Sequence, residues 1–466
     1  MTDRSYKIRD KEDKEDEYMY RAQEKILEII MEKNGKKRES KEISHKIYDI
    51  VNDTLHKYYI PDFDYVNWTS EDIGIENKYF NAWIFTCSVI PFYQTLGDTI
   101  GYHNARWEMN IGERHAGPES ANDMIYEYIS LGGINDMSIV NWIASDDTIL
   151  YMATLDVLSD EIITIDEFGT KLRKAYLDAV PKMEGRHPGA MTKRSLSNQE
   201  FITWDKLPYD PKATGSGSAM RSGCIGIFYP GRSNRKRLIA LAVEASRITH
   251  NSATAILGSI TSALFTAYAL EKVPVNIWPH KLLKLLQSNK IDTYMQKSRP
   301  DEYHYYLRDK VLFYSQWEKY INKRFSGLKP LLDIKMFKHP VLRIKFFAEN
   351  FSKGHLDFPG GEADDCVIMA YDALLESGPS LEKLIVYSML HHGDSDTIGS
   401  IAMSWFGAIY NTLKNMELVL PLLEELEFFD ILSKKMFLNH VQDKMLKTFY
   451  HDMYLHYARK LIHKFT

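Results

Sequence analysis

Cysteine is scarce in this chain. There are three, Cys87, Cys224 and Cys366, spaced far apart and with no Cys-x-x-Cys pair. That excludes a zinc ribbon or a disulfide framework and gives the expectation of a reducing, cytoplasmic compartment. Positive charge is also short: the formal net charge of −5 provides no basic field for nucleic acid, and no such partner is expected. The first residues, MTDRSYKIRDKEDKEDEY, are too charged for a secretory apolar region and too acidic for a transit peptide. No stretch sustains period-two alternation, and no strands alternate with helices. Neither a Ser-His-Asp spacing nor a His-Glu-x-x-His zinc motif is present. What remains is an all-α chain, long enough for two or three average domains or for one large helical domain.

One run needs testing as a membrane span. Ala253–Leu270, ATAILGSITSALFTAYAL, holds eighteen uncharged residues, near the minimum for crossing a bilayer. It is rich in Ala, Ser, Thr and Gly, which suit close packing in a protein interior and make a poor lipid-facing surface. We read it as a central buried helix and expect no membrane partner.

Residues 1–80 read as a charged helical extension. Ala22, Ile26, Ile29 and Ile30 share one face, Asn34-Gly35 is a stop, Ile43, Ile47, Ile50 and Val51 repeat the helical spacing, and Pro61 breaks it. Packing against the main body is the simplest role for it, with partner binding the alternative. At the other end, Val441, Met445, Phe449, Met453, Tyr457 and Leu461 keep near-helical spacing and predict a closing amphipathic helix. Residues 280–350 are aromatic, charged and weakly patterned, and are expected as helices and loops on the outside of the bundle.

The chemistry gathers around residues 390–411, LHHGDSDTIGSIAMSWFGAIYN. Asp394, Asp396 and Thr397 open a run of thirteen residues without charge, 398–410. Alternating oxygens at the start of a buried helix suit Mg²⁺, Ca²⁺ or Mn²⁺, although Asp, Ser and Thr also serve as plain helix caps. Three oxygens are half a site at most. Residues 142–156 repeat the arrangement, with Ser145, Asp146 and Asp147 opening another apolar helix. Adjacent aspartates repel unless a cation or opposite-sign partners offset the cost. Two such turns favour one shared hard cation, which needs about six oxygens. Asp98, flanked by glycines at residues 97–102, and Glu108 are expected to bring two further carboxylates to the same cavity. The turn Thr214-Gly215-Ser216-Gly217-Ser218 enters a helix carrying Arg221, a pattern that cradles phosphate when it is not merely a turn. His250, alone at a helix start, reads as a structural residue.

Taken in order, GDTIGYHNARWE, ASDDTILYMATLDVL, MEGRHPG, TGSGSAMRSGCIG, EASRITHNSATAILGSITSALFTAYAL, QWEKY, MAYDALLESG and HHGDSDTIGSIAMSWFGAIY resemble the ADP-ribosylglycohydrolase family, most closely its ADP-ribosylarginine hydrolase branch. The match spans about residues 81–411. Residues 1–80 lie outside it, and 412–466 would complete the family domain with closing helices. The resemblance implies a single large orthogonal helical bundle with two Mg²⁺ ions. It implies metal ligands at Ser145, Asp146, Asp147, Asp394, Asp396 and Thr397, and ADP-ribose held by Thr214, Gly215, Ser216 and Arg221. Asp365 then lies in the loop facing the substrate, Glu108 positions substrate, and Asp146 or Asp147 is the base. The implied activity is removal of ADP-ribose from modified protein side chains, most directly from arginine, with an ADP-ribosylated protein as partner and ADP-ribose as product. A monomer is compatible with all of this.

Two departures touch the substrate rim. The branch has a Gly-Ser-Ser-Gly-His-Asp-like loop where this chain reads Gly360-Gly361-Glu362-Ala363-Asp364-Asp365, and Asn251, Ser252 and Ala253 replace further histidines and a proline after His250. They leave open whether the linkage is to arginine, serine or an O-acetyl derivative. The alternatives are an inactive ADP-ribose-binding protein on the same fold, and an unrelated metal-dependent phosphohydrolase.

Overall fold

The computed structural model describes residues 78–110, 117–160, 164–197, 203–332, 334–352 and 358–410. The N-terminal extension up to residue 77 and the expected closing helix around Met445–Leu461 lie outside the described residues. The site described below belongs to the compact unit Thr86–Met445; the chain's other unit is Met1–Phe85 with Leu446–Thr466.

Helices build nearly all of the described structure. The principal ones are α1 (Lys78–Tyr102), α2 (Asp146–Ser159), α3 (Ile165–Ala179), α4 (Arg235–Arg247), α5 (Ala253–Leu270), α6 (Tyr303–Arg324), α7 (Pro340–Asn350), α8 (Asp365–Ser377), α9 (Leu381–Ser388) and α10 (Ser395–Tyr410). Among the described residues the only sheet is a two-residue hairpin, Phe325–Ser326 against Lys329–Pro330.

α5 is the axis of the core. Every one of its eighteen residues is buried, so its length and apolarity serve the protein interior. α4, α6 and α10 pack around it. Its hydroxyls are satisfied in place: Thr261 donates to the Leu257 carbonyl at 2.7 Å, and Ser259 donates to the Ala242 carbonyl of α4 at 2.8 Å. A buried hydroxyl without a partner would be costly, so these bonds are what let a Ser/Thr-rich helix sit at the centre. Around Phe265 the rings of Trp278, Trp317, Tyr371 and Trp405 close in at centroid distances of 5.1–5.6 Å.

Those contacts correct the expectation for residues 280–350. Trp317 and Tyr320 of α6 are fully buried, and so is Arg324. Arg324 Nε donates to Asp372 of α8 at 2.6 Å, Arg343 of α7 pairs with the other oxygen of Asp372, and Tyr320 donates to it at 2.5 Å. Arg324 also pairs with Glu376 and lies over the Phe337 ring. The charges that made this stretch look superficial neutralise one another inside the bundle.

α1 and α10 cross at very close range. A Cβ placed on Gly97 would stand 2.4 Å from the Gly399 carbonyl oxygen, and one on Gly101 2.4 Å from that of Ser395. Only glycine permits this approach, which brings the C-terminal end of α1 against the N-terminal end of α10.

Candidate active site

Asp98, carried by α1, caps α2 from outside. Its two carboxylate oxygens accept the backbone N–H of Ser145 at 3.0 Å and of Thr148 at 2.9 Å. Ser145 is the N-cap of the same helix, its Oγ accepting from Asp147 N at 3.1 Å. With these first-turn donors satisfied by Asp98 and Ser145, the carboxylates of Asp146 and Asp147 are not consumed in capping. Both are buried, and Asp147 Oδ2 accepts from Ser400 of α10 at 3.2 Å.

The second aspartate turn is built in the same layered way. His391 Nδ1 accepts from Gly393 N at 3.1 Å, and its Nε2 lies 3.0 Å from the Ser388 carbonyl, contacts that assign the neutral tautomer with the hydrogen on Nε2. Burial and the neighbouring His392 hold the pKa of this ring down to about 3. Asp394 N donates to the Pro359 carbonyl at 3.0 Å and Ser395 Oγ to the Gly101 carbonyl at 2.8 Å. Thr397 N donates to Asp396 Oδ1 at 2.9 Å, while Asp394 accepts from Ser216 Oγ at 2.9 Å and its charge raises Asp396.

The two turns converge. Asp146, Asp147 and Asp396 are pushed well above the usual carboxylate range, first by burial, then Asp146 and Asp147 by Asp396 and Asp98, and Asp396 by Asp394. Asp98 is raised to about 7 by burial and by Asp396. Glu108 rises to about 11 through burial and the charges of Asp396, Asp394, Asp146 and Asp98. Arg221 acts on Asp146 in the opposite sense, as the smallest of its influences.

Glu108 reaches this cluster on a strained connection. His103, Asn104 and Ala105 are consecutive left-handed residues with φ of 45°, 52° and 67°, each costing about 1–2 kcal/mol for a non-glycine residue. Asn104 holds the bend by accepting from Ile143 N at 2.8 Å and donating to the Asn141 carbonyl at 3.1 Å, and His103 stacks on Trp142 at 3.8 Å. Met109 N then donates to the Gly393 carbonyl at 3.0 Å, which docks Glu108 beside the second aspartate turn.

The glycine turn forms an opposite wall. Ser216 N donates to the Gly361 carbonyl at 3.0 Å, and the Thr214 carbonyl accepts from Ala363 N at 2.8 Å, so residues 214–216 and 361–363 pair like two short strands. Thr214, Gly215 and Ser216 are half-buried, and their turn touches the second aspartate turn through Ser216 and Asp394. A side chain on Gly217 would collide with the His250 ring at 2.8 Å. His250 is buried and kept neutral, its pKa lowered to about 3 by burial and by Arg221.

Two expected substrate contacts differ in the structure. Arg221 is fully buried and turned inward: its Nη2 donates to the Ala245 carbonyl at 3.0 Å and to Thr249 Oγ1 at 2.6 Å, Nη1 donates to the Gly217 carbonyl, and its guanidinium lies 4.8 Å from the Tyr176 ring centre. It braces the glycine turn from beneath instead of facing a ligand. Asp365 likewise spends both oxygens on its own loop, accepting from Gly360 N at 2.9 Å and Glu362 N at 3.0 Å. It shapes the loop that pairs with the glycine turn. Contacts that no local pattern signals are the cap from Asp98, the Ser400 bond to Asp147, and His187 beside Glu108. All join segments more than forty residues apart.

The donor set fits a hard divalent cation by its chemistry. It is all oxygen, two hydroxyl residues and four carboxylates, and the carboxylates raise one another because no positive group stands among them in strength. Among the described residues, no three acidic, histidine or cysteine side chains are already drawn to the spacing of a closed ligand shell.

Comparison with known proteins shows the family of the chain. The family model for ADP-ribosylglycohydrolases matches residues 94–428. The chain belongs to the ADP-ribosylglycohydrolase family, and is a hydrolase of that family. It is 54% identical over 391 residues to a putative ADP-ribosyl glycohydrolase of Acanthamoeba polyphaga mimivirus, covering 82% of this chain and 75% of the relative. It is 33% identical over 339 residues to the ADP-ribosylhydrolase ARH1 of Dictyostelium discoideum, covering 68% of this chain and 84% of that one. A solved structure described as an ADP-ribosylglycohydrolase-related protein complex superposes with a TM-score of 0.44 at 18% identity, over 76% of this chain and 98% of that chain.

Proposed function

We propose that this protein is a Mg²⁺-dependent hydrolase that removes ADP-ribose from modified protein side chains, cleaving the N-glycosidic bond of ADP-ribosylarginine. The observation that carries the reading is the buried convergence of Asp146, Asp147, Asp394, Asp396 and Glu108 beside a half-buried glycine turn. Ser145, Asp146, Asp147, Asp394, Asp396 and Thr397 would hold two Mg²⁺ ions. When bound, such ions supply orientation of the ribose hydroxyls and a water of lowered pKa.

The chain's own residues do the rest. The turn at Thr214, Gly215 and Ser216 receives the diphosphate on the N–H groups of Thr214 and Gly215, the Ser216 N–H being given to the Gly361 carbonyl. Asp146 or Asp147 takes a proton from the attacking water as its oxygen bonds to C1″ of the ribose. The bond from C1″ to the guanidine nitrogen breaks with its electron pair staying on nitrogen, which then takes up the proton the aspartate removed from water, by analogy with glycosidases. Glu108 orients the sugar at the reacting carbon.

The test is a panel of arginine-, serine- and O-acetyl-linked ADP-ribose, assayed with Mg²⁺ and with EDTA. The proposal expects intact ADP-ribose from the arginine linkage, Mg²⁺-dependent and absent in the Asp146→Asn, Asp147→Asn double variant. Substantial turnover by that variant would sink the assignment, and AMP or phosphate as product would replace the reaction.

A further inference from the structure

The loop at residues 183–189 is fastened to the carboxylate cluster. Arg186 donates from Nη1 to the Ala144 carbonyl at 2.5 Å and from Nε to the Lys182 carbonyl at 3.0 Å, while its own carbonyl accepts from Asp146 N at 3.3 Å. Held this way, His187 adopts left-handed backbone with φ 55°, which a non-glycine residue takes up at a cost. Its ring meets the Tyr102 ring edge-on at 5.8 Å, and its Nδ1 stands 3.4 Å from the Tyr102 hydroxyl and 3.7 Å from Glu108 Oε2. That Glu108 oxygen is buried and makes no hydrogen bond. The imidazole is 43% exposed and the Glu108 side chain 9%, so the ring forms the half-open layer over a closed carboxylate.

The contacts also assign the ring's hydrogen. Tyr102 donates its hydroxyl hydrogen to the Gly185 carbonyl at 3.1 Å, so toward His187 the phenol oxygen can only accept. Nδ1 therefore carries a hydrogen, and in the neutral ring Nε2 is then a hydrogen-bond acceptor.

Resting on the hydrolase reading above, we infer that His187 is a specificity-determining residue that meets the leaving side chain and favours a guanidinium linkage over an oxygen linkage. A guanidinium is all donors and no acceptor. It matches the Nε2 lone pair of the neutral ring, which the Glu108 carboxyl backs from the Nδ1 side. A serine or O-acetyl leaving oxygen brings no N–H to this pair and gains nothing from it.

The experiment is calorimetric binding of ADP-ribosylarginine, ADP-ribosylserine and free ADP-ribose to the full chain carrying Asp146→Asn and Asp147→Asn, so that no ligand is consumed. His187→Ala and His187→Gln are each added to that background, with a thermal melt to confirm folding. Loss of one hydrogen bond is expected to weaken ADP-ribosylarginine about tenfold in the alanine variant. Binding of the other two ligands should stay within about twofold. The glutamine variant, whose amide oxygen replaces the acceptor, should regain most of the loss. Equal weakening of all three ligands, no weakening of the arginine ligand, or no recovery with glutamine overturns the assignment to His187 while leaving the hydrolase reading standing. Failure of the His187-containing double variant to bind any of the three overturns the assignment to His187, and the hydrolase reading falls with it only where the unsubstituted chain also releases no ADP-ribose from the arginine linkage in Mg²⁺.

Discussion

The molecule buries acids in two places and treats them in opposite ways. Around Asp372, Arg324 and Arg343 arrive from two other helices, and a tyrosine donates as well; despite complete burial the carboxyl is held below its usual range. Around Asp396 burial is similar, but the neighbours are Asp98, Asp146, Asp147, Asp394 and Glu108, and these carboxyls rise. A chain that brings two guanidinium groups to one aspartate has the means to neutralise acids internally. Leaving the larger cluster uncompensated means that its counter-charge comes from outside, as protons or as a cation.

Four experiments break or sharpen that contrast. The largest effect is on turnover: the Asp146→Asn, Asp147→Asn double variant should lose ADP-ribose release by about a thousandfold or more, measured on arginine-linked substrate in Mg²⁺. Next is Asp372→Asn, which leaves Arg324 and Arg343 buried against a neutral amide. It should cost about 3–5 kcal/mol in denaturant unfolding while ADP-ribose binding survives in the folded fraction.

Third is the dependence of stability on pH and Mg²⁺. A carboxyl whose folded pKa is raised keeps its proton in the native state, so its contribution is full below the unfolded value and is lost as pH rises through the folded one. Asp98, at about 7, and Glu108, at about 11, both act in this sense. In EDTA the melting temperature should therefore fall between pH 7 and pH 9. His250 and His391 add nothing in that window, being neutral in both states above about 6.5. Mg²⁺ should restore a few degrees, more at pH 9 than at pH 7; a shift independent of pH would count against the cluster as the binding site. The smallest effect is the sharpest in sign. Asp147→Asn relieves repulsion, so in EDTA it should stabilise the protein by about 1 kcal/mol, the reverse of Asp372→Asn, and should lose the response to Mg²⁺.

Much of the fold was legible from local pattern. The uncharged runs at Ala253–Leu270 and at residues 398–410 are interior helices, and the oxygen-rich turns at 145–147 and 394–397 do open helices. The pairing of the two turns was legible because each repeats the other's chemistry. What stayed hidden depends on distant partners. Asp98 reads as a site carboxylate, yet its oxygens are committed to N–H groups 47 and 50 residues away. Arg221 reads as a phosphate ligand because a glycine turn precedes it, and only the position of α4 and Thr249 turns it inward. α6 reads as surface because its arginine and lysines dominate its pattern, whereas Asp372 waits 48 residues on. His187 sits in the MEGRHPG motif, but nothing in that motif places it beside Glu108 until the loop is folded.

The glycine contact between α1 and α10 has a mechanical consequence. α1 carries the cap of the first aspartate turn and α10 begins within the second, and where they cross, backbone lies on backbone with no side chain between. A gap spanned by rotatable side chains has compliance; one set by two peptide surfaces in contact has almost none and cannot shorten. The distance between the two halves of the site thus behaves as a hard stop. Even one methyl group, as in Gly97→Ala or Gly101→Ala, would reset that distance without altering a single residue of the cluster.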